Sequence, residues 1–178
     1  MSRLESGRRA VRFEPGYVER SRFYLWAYPR ALASSRLRAF VYALPLSRLR
    51  TSMLGRLAQL IYRDWSNGKH DPVLGIADRG IEMEFFGLGK FTGHEGVKEA
   101  WADFRRSFGD ARVEVAEVID NRTGTIVLVG RAAGLVQATG RGIGQQAAIV
   151  WALEDGMIMR GSFHSTKADA LKAAGLSE

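Results

Sequence analysis

Four side chains of the sequence could take part in general acid–base chemistry: Tyr62, Asp64, Glu84 and His164. A carboxylate or an imidazole can abstract a proton next to a carbonyl group, and a phenol can donate a hydrogen bond to the oxygen of that carbonyl. Each residue also has a structural interpretation, as a solvated carboxylate, a histidine at a rim or dimer face, or a boundary tyrosine with a hydrated hydroxyl. For Glu84 and Asp64 we favour the solvated surface charge.

Large aromatic side chains and two isolated polar ones are the candidates for ligand binding. The aromatic candidates fall at helix or strand spacing, where core packing is the alternative interpretation, and they are Trp65, Phe86, Trp101, Phe104 and Trp151. Arg131 and Gln146 lie in the middle of long predicted strands. An inward-facing Arg131 would indicate an anionic or carbonyl ligand, but we favour an outward position in contact with solvent or a second subunit.

Several chemistries are excluded by composition. The chain has no cysteine, which excludes disulfides, cysteine-ligated zinc, iron–sulfur clusters and thiol nucleophiles. It has only three histidines, and no acidic or histidine cluster has the spacing of a metal site. The segment 140–144 looks like a phosphate-binding loop, but no lysine-serine pair or helix follows it, so a hairpin connection explains it better. We therefore expect neither a metal nor a cofactor.

The positive charge of the chain is confined to its first third. The net charge is +7, and residues 1–53 hold 11 arginines against 3 glutamates. This segment could be a transit peptide, an interfacial helix on anionic lipid, a nucleic-acid-binding arm, or an unstructured extension ahead of a later start at Met53. We favour the last, and expect a poorly ordered basic extension over 1–52 and a globular domain over 53–178. No apolar run reaches 18 residues, so we expect no membrane-spanning helix. We expect a cytoplasmic protein, and we favour neither nucleic-acid binding nor membrane contact through the amino-terminal segment, although that segment leaves both open.

The remaining sequence predicts helices at both ends of a strand-rich region. Helical periodicity covers 54–65, 97–108 and 168–175, and strand patterns cover 81–86, 88–92, 112–119, 125–138, 145–153 and 157–165. This order is typical of the α+β class. A long, curved antiparallel sheet covered by helices leaves a cone that is open at one end, where a small ligand can bind.

Particular segments carry a family resemblance. They are Tyr62-x-x-Trp65-x-Asn67-Gly68, Phe91-Thr92-Gly93-His94-Glu95-Gly96-Val97, Val150-Trp151-x-Leu153-Glu154-Asp155-Gly156-Met157-Ile158 and Ala170-Leu171-Lys172-Ala173-Ala174-Gly175-Leu176. In this order and spacing they resemble the nuclear transport factor two-like superfamily and, within it, the SnoaL-like polyketide-cyclase group. The similarity covers about residues 54–176 and indicates a fold rather than a reaction.

The resemblance implies a cone-shaped α+β barrel in which a curved antiparallel sheet wraps around two or three helices. It also implies a pocket inside the cone and homodimers built through the sheet. The last strand would then run along the cone, which makes His164 a candidate pocket base. We expect a small apolar organic molecule as the ligand. The alternative is a cofactor-free isomerase, cyclase or hydrolase with His164, Asp64 or Glu84 as the base and Tyr62 as the hydrogen-bond donor.

Overall fold

The structure is a computed structural model, and it describes residues 9–12, 48–85, 88–109, 111–121, 124–136 and 141–176. The strands are β1 (Arg9–Arg12), β2 (Ala77–Phe85), β3 (Gly89–Thr92), β4 (Arg112–Asp120), β5 (Thr125–Val136), β6 (Arg141–Glu154) and β7 (Met157–His164). The helices are α1 (Arg48–Ser66), α2 (Asp71–Leu74), α3 (Gly93–Phe108) and α4 (Lys167–Ala173). All seven strands belong to one sheet with the order β1-β4-β5-β6-β7-β2-β3.

The sheet is open, curved and mixed. Every neighbouring pair of strands is antiparallel except β2 and β7, which run parallel. The predicted sheet was wholly antiparallel. This one pair can run parallel because no hairpin joins β2 to β7: β3, α3 and three further strands lie between them in the chain. Register shifts between Val115 and Glu117 and between Ala152 and Leu153 interrupt the pairing, and bulges of this kind bend a sheet. The predicted α+β class with a curved sheet around helices is confirmed.

The two faces of the sheet pack against different helices. The inner face carries Val118, Leu128 and Ile149, which share a core cluster with residues of α1 and α3. The outer face carries alternate residues of the same strands, including Val127 and Val150, which share a second cluster with α4. Because successive side chains of a strand point to opposite faces, β4, β5 and β6 each contribute to both clusters.

Helix α1 begins before the predicted domain boundary. Thr51 is completely buried, and the guanidinium of Arg50 forms a buried ion pair with Asp120, with Nε 2.8 Å from Oδ2. Strand β1 also pairs with β4 along its whole length. A division between residues 52 and 53 therefore passes through α1, and described residues on both sides of it belong to the same sheet and core.

Helix α3 lies across the sheet and closes one side of the core. Its residues Val97, Ala100 and Trp101 are buried, as the predicted helical spacing requires. At its start, His94 Nε2 donates a hydrogen bond to the carbonyl of Ala77 over 3.1 Å, which fixes the helix to the beginning of β2. No helix in the described part of the chain has the length and hydropathy of a membrane span.

Candidate functional site

A cavity of about 50 Å³ lies between α1, α3 and the inner face of the sheet. Its wall consists of aliphatic and aromatic side chains: Ile61, Tyr62, Trp65, Leu74, Ala77, Ile81, Met83, Phe85, Val97, Trp101, Trp151, Ile158 and Phe163. A buried water needs about 10–15 Å³ of such space, so the cavity has room for a few water molecules or a small organic group.

Regular secondary structure brings these residues to one place. On α1, Ile61, Tyr62 and Trp65 are spaced to face the same side of the helix. From Ile81 to the end of β2, burial alternates strictly, so Ile81, Met83 and Phe85 face the cavity while the residues between them are exposed. The alternation in the sequence carries enough information to identify these β2 residues, although none of the three was among the predicted ligand contacts.

Tyr62 provides a hydroxyl group in this apolar wall. Its ring is buried and stacks on Trp151, with the ring centroids 5.8 Å apart. Burial raises the pKa of Tyr62 well above its ordinary value, and a hydrogen bond with the Trp151 side chain opposes this shift. Because an indole N–H can only donate, the Tyr62 oxygen accepts this bond and its own proton remains available. Tyr62 is therefore a hydrogen-bond donor at neutral pH rather than a base.

Trp101 is the largest fully buried side chain of the wall. It is 1% exposed, and its ring centroid lies 5.3 Å from that of Phe104 and 5.9 Å from that of Trp65. Phe104 is partly buried and packs against Trp101 without belonging to the wall. Of the aromatic residues predicted from sequence, the structure thus brings Trp65, Trp101 and Trp151 together. Phe86 lies outside the described residues.

The predicted acid–base residues other than Tyr62 lie away from the cavity. Glu84 is exposed on β2, 3.9 Å from Lys90 Nζ. Asp64 is buried on α1, but it pairs with Arg63 over 3.1 Å and does not belong to the wall. His164 is paired with Ala148 in the sheet, on the outer face.

His164 has a hydrogen-bonding partner on that outer face. The Oγ of Ser162 lies 2.7 Å from Nε2 of His164. Even alternation along β7 would have placed His164 on the same face as Ile158. The register shift in the pairing of β6 and β7 falls between Ile158 and Arg160 and interrupts this alternation. Ile158 therefore lines the cavity, whereas His164 lies on the outer face of the sheet.

The two polar ligand-binding candidates also lie on the outer face. Arg131 and Gln146 are directly opposite each other on β5 and β6, and both are exposed. Arg131 follows Val129 by two residues on β5, and Gln146 precedes Ala148 by two residues on β6. Val129 and Ala148 both belong to the outer cluster. The structure therefore places Arg131 and Gln146 across the sheet from the cavity.

His70 is a titratable residue beside the wall that was not a candidate from sequence. Its ring packs against Trp65, with centroids 4.6 Å apart, although His70 itself does not line the cavity. Burial lowers the pKa of His70, and the positive charges of Lys98 and Arg105 lower it further. The imidazole is consequently neutral at pH 7. A histidine in a loop between two helices carries no periodic signal that would have placed it here.

A metal site is not found within the described ranges, because nowhere there do three histidine, aspartate or glutamate side chains come together in a suitable group. The described wall of the cavity contains no charged side chain. What the arrangement offers chemically is an almost entirely apolar space, and the polar groups that its wall residues carry are the Tyr62 hydroxyl and the indole N–H groups.

Solved structures share this fold at low sequence identity. TerC, crystallised with polyporic acid, is 19% identical, with a TM-score of 0.56 over 68% of this chain and 96% of that one. A protein assigned to the SnoaL-like polyketide cyclases, from Jannaschia sp. CCS1, is 15% identical, with a TM-score of 0.57 over 76% of this chain and 100% of that one. A Catenulispora acidiphila protein with a ketosteroid isomerase-like fold, in complex with trimethylamine, is 11% identical, with a TM-score of 0.53 over 65% and 89%.

These likenesses establish the fold and leave the activity open. No curated protein is significantly similar to the chain in sequence. The family model of the SnoaL-like domain matches residues 58–161, which is more than half of the chain and includes α3 and most of the cavity wall. On this match, the chain belongs to the SnoaL-like domain family.

Proposed function

We propose that this protein binds a small, predominantly apolar organic molecule in the cavity between α1, α3 and the inner face of the sheet. The observation that carries the proposal is the wall itself, in which aliphatic and aromatic side chains surround an unfilled space. Burying apolar surface of a ligand there contributes roughly 25 cal/mol per Å². The co-crystallised small molecules of TerC and of the Catenulispora protein support the proposal by analogy.

We propose binding rather than general acid–base catalysis. An isomerase, cyclase or hydrolase without a cofactor needs a base within hydrogen-bonding distance of its substrate. Among the described wall residues none is a carboxylate or a histidine, and Tyr62 remains protonated at neutral pH. Glu84 and His164, the predicted bases on strands, lie on the other side of the sheet.

The ligand must displace part of the wall to enter. An engineered cavity of about 150 Å³ holds benzene, so a ring of five or six atoms needs more room than this cavity offers at rest. Met83 is the wall residue best able to move, because its unbranched side chain has three rotatable bonds. The Met83 sulfur lies close to Gly161. It can occupy this position because glycine has no side chain.

A glycine substitution tests this proposal. A Cβ at position 161 would lie 2.4 Å from Met83 Sδ and 2.8 Å from Cε, so Gly161→Ala must displace the thioether, which lines the cavity. Overpacking of this kind costs about 1–3 kcal/mol, and binding of a probe that needs the same space should weaken about tenfold or more. Gly144→Ala is the matched control, because its nearest neighbour is the flexible end of exposed Arg131.

The probes are cyclopentane and cyclopentanone, and binding is followed by the NMR resonances of the tryptophan indole N–H groups. We expect saturable shifts of the Trp65, Trp101 and Trp151 signals, retained in Gly144→Ala and weakened in Gly161→Ala. If neither probe binds, or if Gly161→Ala binds both as tightly as the wild-type protein, the proposal is wrong.

We also propose that the protein is a homodimer formed through the outer face of the sheet, as the family resemblance implies. The residues of this face beyond α4 include exposed Arg131, Gln146 and Arg160 together with half-buried Ser162 and His164. Light scattering on the eluting protein should give twice the 19.7 kDa chain mass. A mass of one chain at micromolar concentration would contradict the proposal.

A further inference from the structure

The cavity extends along two neighbouring strands and therefore has two ends. Strands β2 and β7 are parallel, so both run in the same direction along the cavity. Ala77 and Ile158, which are paired near the beginnings of these strands, line one end. Phe85, the last residue of β2, and Phe163, one residue before the end of β7, line the other end. Each end is a candidate entrance for a ligand.

The end at the beginnings of the strands is closed. Ala77 and Ile158 are buried, and so is Leu74 of α2, which lies three residues before Ala77 and also lines the cavity. The carbonyl of Ala77 accepts a hydrogen bond from His94 over 3.1 Å, which ties the start of β2 to α3. Opening this end would expose buried apolar side chains to water and strain the contact between β2 and α3.

The end at the carboxyl termini of the strands is covered by one aromatic ring. Phe163 is half-buried, whereas every other described residue of the wall is buried. Its ring stacks on that of Phe85, with the centroids 4.7 Å apart and an angle of 18° between the planes. Phe85 is also in edge-to-face contact with Phe91, with centroids 5.9 Å apart. Phe163 is thus the less buried of the two stacked rings and the one with more freedom to rotate.

We propose that Phe163 is the gate of the cavity, and that small molecules enter and leave at the carboxyl ends of β2 and β7 when its ring rotates away from Phe85. This inference rests on the proposed function and adds the route to the site and the residue that controls it. Rotation of the ring breaks an aromatic stack but no hydrogen bond or ion pair. Met83 makes room within the cavity, whereas Phe163 controls passage into it.

A gate changes the rates of binding more than the affinity. The Phe163 ring must move for entry and for exit, so removing it lowers the barrier in both directions. From the strength of an aromatic stack, we expect Phe163→Ala to raise the association rate constant of cyclopentane about three- to tenfold. The association rate is the diagnostic quantity, because the loss of a wall contact alone would raise only the dissociation rate.

Magnetisation exchange between free and bound cyclopentane, followed by NMR, measures both rate constants. Phe163→Leu is a second variant that keeps an apolar side chain in case Phe163→Ala fails to fold, and it should also raise the association rate. Phe104→Ala and Phe104→Leu are the matched controls. Phe104 is also partly buried and stacks on Trp101 at 5.3 Å, but it does not line the cavity. We expect the association rate to be unchanged in both controls.

The outcomes separate the gate from the proposed function. If cyclopentane binds, but its association rate is the same in the Phe163 variants as in the wild-type protein, the gate is wrong and the cavity still binds apolar molecules. An equal increase in the Phe104 variants would also overturn the gate, because it would reflect a general loosening of the core. If cyclopentane does not bind at all, the proposed function fails and the gate fails with it.

Discussion

The substitution Arg50→Met tests whether the beginning of α1 is an integral part of the fold. The Arg50 guanidinium contacts the Asp120 carboxylate twice, with Nε 2.8 Å from Oδ2 and a terminal nitrogen 3.2 Å from Oδ1. The two side chains are 8% and 0% exposed. Removing one partner of such a pair leaves an uncompensated buried charge, so we expect Arg50→Met to lower the free energy of unfolding by about 3–5 kcal/mol at pH 7.

The pH dependence of this loss follows from Asp120. Burial raises the pKa of Asp120, while the charge and hydrogen bond of Arg50 lower it. Without Arg50 the pKa rises further. A folded-state pKa above the unfolded value makes the variant most stable below the unfolded pKa, and stability is lost as the pH rises through the folded one. The deficit of Arg50→Met should therefore shrink as the pH falls from 7 towards about 4.

Urea unfolding of both proteins at several pH values measures this deficit. Arg106→Met is the control, because Arg106 forms an exposed ion pair with Asp103 on α3 and its loss should cost no more than about 1 kcal/mol. The reasoning is refuted if Arg50→Met and Arg106→Met are equally stable, or if the deficit of Arg50→Met does not change with pH.

Three other predictions concern the backbone, the buried phenol and the amino-terminal segment. Gly130→Ala would place a Cβ 1.7 Å from the carbonyl oxygen of Glu114, so it should lower the free energy of unfolding in urea by about 3 kcal/mol or more. Gly144→Ala should leave this free energy nearly unchanged, and equal stabilities of the two variants would contradict the strand pairing. Because the pKa of Tyr62 is raised by burial, only the unfolded state ionises above about pH 10, and the protein should lose stability as the pH rises further. Tyr62→Phe should lose less stability over this range, and superimposable alkaline profiles would show that the phenol is not buried. Deleting residues 1–52 removes β1 and the buried start of α1, so it should lower the melting temperature by about 6 °C or more. An unchanged melting temperature would support the predicted boundary at residue 53.

Local sequence patterns predict most of the elements of this fold. The apolar spacing of α3 and the alternation of β2 identify both elements, because each buries one face against the same core. The start of α1 was less apparent. Helical periodicity is clear only from Leu54, and Arg50 looks like part of an exposed basic segment until its partner 70 residues away is known.

The arrangement of the candidate site depends on long-range pairing that periodicity does not encode. His164 follows Ile158 by six residues, which in a regular strand would put both on one face. The register shift in the pairing of β6 and β7 places them on opposite faces instead. The sequence pattern thus identified aromatic wall residues such as Trp101, but it could not show which strand residues share the cavity with them.

Xenon binding is the most direct test of the claim that this domain contains a hollow, apolar site. Xenon enters dry apolar cavities, and it requires no hydrogen bond. In crystals held under xenon pressure, we expect an ordered xenon atom among Trp65, Met83 and Trp101, and its occupancy should fall in Gly161→Ala. Crystals in which side chains fill this space and xenon is absent would contradict the account.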